Sequence, residues 1–210
     1  MTEKAPDLDA AYALKTPEDN RRLYADWAQS YDDSFASDMD YRLPQLVALV
    51  LSEIFQGPGP VLDVGAGTGL VAQNMLMRGL LKIDALDISP EMLAVAGDKG
   101  LYRNLIEGDL TAKLDIPDET YGAIVSSGTF THGHVGPQAL DELLRIAQPG
   151  ATFVLSINAT HFEARGFADK FAALDSNIAD LEHRIVDIYG AGADDAHKDD
   201  KAHIAVFTKR

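Results

Sequence analysis

Three closely spaced glycines follow an apolar segment at positions 61–70, which read VLDVGAGTGL. Glycine allows backbone angles that other residues avoid, and it lets a ligand come close to the backbone. A nicotinamide-dinucleotide loop has the spacing G-x-G-x-x-G, which from Gly65 would need a glycine at Leu70. Here the third glycine is Gly69, and an acid, Asp63, lies two residues before the first. This spacing disfavours a nicotinamide dinucleotide, and a purely structural turn between a strand and a helix is the simplest alternative.

Two further aspartates lie at the ends of apolar segments. Asp87 lies 18 residues after Gly69, within ALDISPEML at positions 85–93, and Asp109 lies within EGDL at positions 107–110. A carboxylate at the end of a strand can accept hydrogen bonds from both hydroxyls of a ribose. Either aspartate alone would be more typical of a helix cap or a turn. Their order behind the glycine loop favours ligand binding.

Apolar segments alternate with helical patterns along the chain, and this alternation must position the glycines and aspartates. The predicted strands are 61–64, 82–86, 104–107, 123–126, 152–157, 184–189 and 203–208. Two helices are predicted before the first strand, starting at 16–17 and near 44, with an Asp- and Ser-rich loop between them. Two more follow the first two strands, one from the glycine loop to about 78 and one from 89–90 to about 97. The last two cover 137–147 and roughly 161–174. Such alternation predicts a parallel, doubly wound sheet whose ligands lie beyond the carboxyl ends of the strands. No helix separates the last two strands, so we expect an antiparallel pair at one edge.

The acidic segments together resemble the motifs of class I S-adenosylmethionine (SAM)-dependent methyltransferases. VLDVGAGTGL resembles the first motif, ALDISPEML the second and EGDL the third. YADWAQSYD at 24–32 resembles the N-terminal lid of small-molecule methyltransferases, and YRLP at 41–44 with VSSGTFTHGHV at 125–135 is similar to the methyltransferase-like proteins of the Williams–Beuren region. The resemblance implies an α/β fold, a seven-stranded Rossmann-like doubly wound sheet with an antiparallel final strand and an N-terminal helical lid. It implies SAM as cofactor and S-adenosylhomocysteine as product.

The resemblance also gives roles to individual residues. Asp87 would hold the ribose, the residues after it would flank the adenine, and Asp109 would accept from the adenine amino group. Tyr31 could close over the methionine part of the cofactor or pack within the lid, and Arg42 could pair with a carboxylate of cofactor or substrate or form a surface ion pair. The predicted cofactor-binding set is Asp63, Gly65, Ala66, Gly67, Gly69, Asp87, Ile88, Met92, Gly108, Asp109, Leu110, Ser126, Ser127, Tyr31 and Arg42.

Two histidines are candidates for proton transfer. His132 and His134 lie just beyond the predicted fourth strand, where the substrate of a methyltransferase should lie. Histidine titrates near neutral pH, which suits removal of a proton from a nucleophile. Together with Tyr31 they form the predicted catalytic set, and exposed loop histidines are the alternative. No metal site is predicted, because the acidic run at 194–200 is more typical of a solvated loop.

Composition limits the possible partners. The chain has 33 acidic and 18 basic residues and a net charge of −15, so it should repel nucleic acids and anionic membranes. It has no cysteine, which excludes disulfides, thiolate metal sites and cysteine nucleophiles. The N-terminus has no signal-peptide pattern, and the longest apolar run, 46–51, is far too short to span a membrane. We therefore expect a cytoplasmic protein.

The length of 210 residues predicts a single domain. Within it, we expect an N-terminal segment and lid helices at 1–56 and a SAM-binding core at 57–210. The leading hypothesis is methyl transfer from SAM to a small-molecule nucleophile, without nucleic acid or membrane partners. The alternatives are a protein-modifying methyltransferase, a non-catalytic SAM-binding regulator and a nicotinamide oxidoreductase.

Overall fold

A computed structural model describes residues 6–14, 16–57, 59–76, 82–132 and 134–210. Its centre is a seven-stranded sheet in the order β3-β2-β1-β4-β5-β7-β6. The strands are β1 Val61–Val64, β2 Ile83–Asp87, β3 Asn104–Glu107, β4 Tyr121–Phe130, β5 Ala147–Asn158, β6 Ile178–Asp187 and β7 Lys201–Lys209. Strands β1 to β5 pair in parallel, and β7 runs antiparallel to both β5 and β6. The predicted sheet, with its antiparallel final strand and edge pair, is confirmed.

Helices cover both faces of this sheet, as a doubly wound fold requires. They are α1 Leu8–Tyr12, α2 Pro17–Trp27, α3 Leu43–Ile54, α4 Leu70–Leu76, α5 Pro90–Asp98, α6 Ala139–Ile146, α7 Ala159–Ala164 and α8 Phe167–Ala173, with a π-helix at Asp32–Ser37. Apolar residues of α3 and α4 pack on one face of the sheet. Those of α6 and α8 pack on the other. Burial of apolar surface in these two layers holds the strand ends in place.

Helix starts follow the predicted capping signals. The Thr16 hydroxyl accepts a hydrogen bond from the Asp19 backbone N–H at 3.1 Å, and Pro17 begins α2. The Ser89 hydroxyl accepts from the Met92 N–H at 3.2 Å, and Pro90 begins α5. Proline suits this position because its missing N–H would have no partner in the first helical turn.

Three expectations about the elements are wrong or fall outside the described residues. The predicted helix over 161–174 is two helices, α7 and α8, because Gly166 between them takes a left-handed backbone angle (φ +76°). The predicted loop after Tyr31 contains the π-helix, which the buried Phe35 anchors. The end of the predicted helix near Arg78 lies outside the described residues. Among the helices of the described ranges, none has the length and apolar character needed to cross a bilayer.

Candidate active site

A cavity of about 380 Å³ opens at the carboxyl ends of the first four strands, where a doubly wound sheet binds ligands. The N-terminal part of α2 covers it through Thr16, Pro17 and Asn20. Much of the predicted site lines this cavity, namely Tyr31, Gly65, Gly67, Asp87, Ile88, Met92, Gly108, Asp109, Leu110, Ser127 and His134. The structure therefore brings these predicted residues together.

The glycine loop forms the floor of the cavity beside β1. Gly65 has a φ of +65°, and a Cβ there would overlap the Thr129 hydroxyl, so the position requires glycine. Gly67 has a φ of +53° and faces open space. Its N–H donates to Asp87 Oδ2 at 2.8 Å. The loop thus exposes bare backbone to a ligand and ties itself to the end of β2.

Asp87 is a partly buried acid in the wall of this cavity. Its Oδ1 accepts from the Ser89 N–H at 2.9 Å, while Oδ2 accepts from Gly67. Burial raises the pKa of Asp87, and the backbone donors oppose that rise. Each carboxylate oxygen can accept more than one hydrogen bond, so Asp87 can also receive two adjacent hydroxyls from a ligand.

Asp109 lies at the end of β3, on the same edge of the cavity. Its Oδ1 accepts from the Thr111 N–H at 2.8 Å and from the Thr111 hydroxyl at 2.7 Å. Thr111, which also lines the cavity, therefore sets the orientation of this carboxylate. Asp87 and Asp109 are the two acidic groups in the described lining, so the cavity favours a ligand that carries positive charge.

Several predicted residues build the loop from behind and do not line the cavity. Asp63 is fully buried and accepts from the Tyr102 hydroxyl through Oδ2 at 2.6 Å. Its Oδ1 has no hydrogen-bond partner within the described residues. Burial and the nearby Asp87 charge raise the pKa of Asp63 to about 7, although the Tyr102 hydrogen bond lowers it. The Ser126 hydroxyl donates to the Val64 carbonyl at 2.7 Å.

Four other predicted residues also lie outside the cavity lining. Ala66 packs with apolar neighbours beneath the loop, and Gly69 packs against the Tyr102 ring. Arg42 forms an ion pair with Asp40 at 3.0 Å, with both side chains about half exposed (47%). His132 stacks near Tyr12, with ring centroids 4.9 Å apart. Roles for these residues in cofactor binding or catalysis stay predictions from the sequence.

His134 forms the polar end of the cavity. Its Nδ1 lies 2.5 Å from the His132 carbonyl oxygen, which can only accept, so Nδ1 carries the proton. The unprotonated Nε2 accepts from the Tyr24 hydroxyl at 2.9 Å. Burial lowers the pKa of His134 to about 4, so the imidazole is neutral at physiological pH. A neutral imidazole with Nε2 turned towards α2 can accept a proton.

The sequence analysis placed Tyr24 in the lid segment at 24–32 but gave no site role to it or to the other cavity residues at the start of α2. Thr16, Pro17, Asn20 and Tyr24 all line the cavity. The Thr16-Pro17 pair predicted where α2 begins, but nothing local indicated that its first turns face the glycine loop. Tyr24 and His134 are 110 residues apart in the chain, so only the folded structure brings them together.

The π-helix is attached directly to the glycine loop. Asp32 Oδ1 accepts from the Thr68 hydroxyl at 2.5 Å, and Asp32 also forms an ion pair with Lys99 at the end of α5. The Arg21 Nε donates to the Ile88 carbonyl at 3.3 Å and so links α2 to the segment after β2. These contacts hold the N-terminal helices over the cavity. Across the described ranges, no cluster of three or more His, Asp or Glu side chains is arranged to hold a metal ion.

Comparison with protein families identifies this arrangement. Residues 62–155 match the model of a family described as "Methyltransferase domain". These residues therefore form a methyltransferase domain, which bears out the predicted SAM-dependent methyltransferase family and, with it, SAM as the cofactor.

Two curated relatives support the same family. Human methyltransferase-like protein 27 is 33% identical over 160 residues, covering 74% of this chain and 64% of the relative. The demethylmenaquinone methyltransferase of Renibacterium salmoninarum is 32% identical over 146 residues, covering 68% of this chain and 60% of the relative. The chain thus spans less than two thirds of the length of either relative.

Solved structures share the fold at low sequence identity. The [4+2]-cyclase SpnF superposes with a TM-score of 0.70 at 15% identity, covering 94% of this chain and 97% of the cyclase. A Thermotoga maritima protein described as a possible histamine N-methyltransferase has a TM-score of 0.60 at 15% identity, covering 90% and 98%. Since a cyclase has this fold, the fold by itself does not assign the reaction.

The cavity fits the family's cofactor on three structural grounds. Asp87 is placed to accept two ribose hydroxyls, and the bare backbone at Gly67 leaves room for close approach. The charged side chains in the described lining are acidic, which suits the positive sulfonium of SAM. Asp87, Asp109 and the glycine loop would therefore hold the cofactor. When bound, SAM supplies a methyl carbon that its sulfonium has activated for nucleophilic attack.

Proposed function

We propose that this protein transfers the methyl group of SAM to a small-molecule nucleophile and releases S-adenosylhomocysteine. The observation that carries the proposal is that a single cavity contains both the Asp87 carboxylate and the His134 imidazole beneath α2. A helix over the cavity favours an acceptor small enough to enter it. The net charge of −15 makes a nucleic-acid acceptor unfavourable.

The protein's contribution to this reaction is mainly orientation. A new bond forms between the nucleophile and the methyl carbon, the carbon–sulfur bond breaks, and its electron pair goes to sulfur. Holding the partners in line can lower the barrier by roughly 7–11 kcal/mol. Asp87 and Asp109 hold SAM in place, and Tyr31 with α2 excludes water from the nucleophile.

His134 is the proposed base for a nucleophile that arrives protonated. Its Nε2 is the atom that would accept the proton. The Tyr24 hydroxyl, which now donates to Nε2, would either rotate away or pass the substrate's proton on to Nε2. Such base catalysis is worth about 10²–10⁴-fold in rate. His132 contributes its backbone carbonyl, which holds His134 in the required tautomer, and so acts as a positioning residue. Tyr31 is proposed to form the wall next to the reacting methyl group.

The test uses methyl-labelled SAM and an extract of the host cell, separated afterwards into low-mass and macromolecular fractions. Label in the low-mass fraction that disappears in Asp87→Ala supports the proposal. The matched control is Asp169→Ala, which removes an exposed aspartate on α8 and should leave labelling unchanged. S-adenosylhomocysteine binding is measured on all three proteins by calorimetry.

The other results identify the alternatives. Label in the protein fraction would indicate a protein-modifying methyltransferase. Absence of label despite S-adenosylhomocysteine binding would favour a non-catalytic regulator. Unchanged binding by Asp87→Ala would contradict the assignment of the cofactor site.

A further inference from the structure

A second, smaller cavity of about 50 Å³ lies next to the main one and shares two walls with it, Tyr31 and Gly128. We call it the aromatic subsite. Six aromatic side chains contribute to its lining, Tyr12, Tyr31, Phe35, Tyr41, Phe130 and Tyr189. A cavity of this size has room for about three to five water-sized groups, because one water needs roughly 10–15 Å³. It can therefore hold the head group of a small molecule.

The rings of the aromatic subsite form a connected cluster. The Phe35 ring centroid lies 5.0 Å from that of Tyr31, 5.4 Å from Tyr41 and 6.1 Å from Tyr189. Tyr41 and Tyr189 are 5.8 Å apart and also meet in an isolated antiparallel bridge. Segments from before α3 and after β6 are thus joined around one small space.

Gly128 lies at the boundary between the two cavities and lines both of them. Its φ is +80°, and its N–H donates to the Ser156 hydroxyl at 3.1 Å. A Cβ at this position would lie 2.7 Å from the Tyr41 hydroxyl, so a side chain would close the gap between β4 and Tyr41. The Tyr41 hydroxyl also lies 3.2 Å from the Ser127 hydroxyl, which faces the main cavity.

The charge of the surroundings selects against anions. In the described lining of the aromatic subsite there is no charged side chain. In the main cavity the described lining carries two acids and a neutral histidine but no Lys or Arg. A carboxylate or phosphate group in the aromatic subsite would therefore have no cation beside it, and the cost of burying it there would not be compensated.

The same surroundings favour a cation. The faces of aromatic rings carry negative electrostatic potential and attract ammonium groups. Burial raises the pKa of Tyr41 to about 12, so its hydroxyl stays neutral and its oxygen can accept. The Tyr12 hydroxyl donates to Asp200 at 3.2 Å, so a negative charge lies next to the aromatic subsite. The net charge of −15 also attracts cations over longer distances.

We propose that the acceptor is a small amine and that the aromatic subsite holds its methylated nitrogen. This inference rests on the proposed function. The amine reacts in its neutral form, after an ammonium proton has passed to water, because only the neutral form has a free lone pair. That lone pair forms a bond to the methyl carbon, the carbon–sulfur bond breaks with its electron pair going to sulfur, and the positive charge moves from sulfur to nitrogen. A proton that the methylated nitrogen still carries then passes to water. Ring faces that stabilise an ammonium stabilise this transfer of charge.

Two probes of the same shape test the proposal on protein saturated with S-adenosylhomocysteine. Choline carries a trimethylammonium head, and 3,3-dimethyl-1-butanol has the same shape without charge. Calorimetry should show that choline binds about 3-fold to 30-fold more tightly, the range expected for a cation on aromatic faces. The choline methyl protons should also shift upfield in NMR spectra, because aromatic rings surround them.

Variants of Tyr41 test whether its ring contributes to the preference for choline. Tyr41→Leu removes one ring face and should reduce the preference for choline, whereas Tyr41→Phe keeps the face and should retain most of it. Equal binding of the two probes, or no binding of either, would overturn the inference. So would choline that binds only when S-adenosylhomocysteine is absent, because it would then occupy the main cavity. Failure of S-adenosylhomocysteine itself to bind would instead contradict the proposed function.

Discussion

The two ends of the active site are built in different ways. At the donor end, Gly67, Asp87 and Asp109 lie at the carboxyl ends of three neighbouring strands, and each carboxylate accepts from a backbone N–H two residues further along the chain. The acceptor end, formed by the Tyr24–His134 pair and the aromatic subsite, collects side chains from the N-terminal helices, β4 and the segment after β6. The donor end is therefore local and polar, whereas the acceptor end is long-range and aromatic. The chemistry common to the family lies in local geometry, and the choice of acceptor depends on tertiary packing.

The largest expected effect is on the pH dependence of stability at the acceptor end. The pKa of His134 is lowered from 6.5 to about 4 by burial, so the unfolded chain binds more protons between these values. The folded protein thus loses stability as the pH falls from 6.5 towards 4, by up to about 3 kcal/mol. His134→Gln removes the titrating imidazole, so this loss of stability at low pH is absent from the variant. Urea unfolding should show that the stability of the variant relative to wild type rises by about that amount between pH 7 and pH 4.

Tyr24→Phe is the matched control for this measurement. It removes the hydroxyl from which His134 Nε2 accepts but keeps the buried imidazole, so most of the wild-type pH dependence should remain, because burial is its main cause. If the difference between His134→Gln and wild type stayed constant with pH, the acceptor end would be as accessible to water as the surface.

A pH effect of opposite sign is expected at the donor end, where the variant that tests it should have a smaller effect than His134→Gln. The pKa of Asp63 is raised to about 7, so its ionisation costs the folded protein stability as the pH rises towards 7. Tyr102 donates to the ionised carboxylate, so Tyr102→Phe should destabilise by about 1–3 kcal/mol at pH 8 and by less at pH 5.5. Denaturant unfolding at both pH values measures this. An equal loss at both would mean that Tyr102 acts only by packing on Gly69.

The smallest effect concerns Arg42, for which the sequence left a carboxylate of cofactor or substrate and a surface ion pair as alternatives. In the structure it pairs with Asp40 on a half-exposed surface, and such pairs contribute about 0–1 kcal/mol. Arg42→Gln should therefore change S-adenosylhomocysteine affinity by less than about 2-fold in calorimetry. A loss of tenfold or more would show that Arg42 turns towards the donor end when ligand binds.

What could be predicted from the sequence follows the same division. All seven strands overlap their predicted positions, because each is a short apolar segment bounded by turn residues. Asp87 could be placed beside the glycine loop because strand ends in a parallel sheet share one edge. Tyr24 could not be paired with His134, since no local pattern encodes a contact across 110 residues. The left-handed Gly166 and the π-helix were missed because helical periodicity does not reveal a one-residue break or an added residue per turn.

Tyr31 is a wall of both cavities, and this has a thermodynamic consequence. A ligand that shifts this ring from one side changes the shape offered to the ligand on the other. By linkage, if the first ligand multiplies the affinity for the second by some factor, the second multiplies the affinity for the first by the same factor. The binding of the donor and the binding of the acceptor are therefore coupled through one aromatic ring. A substitution at Tyr31 alters this cooperativity as well as the affinity for each ligand.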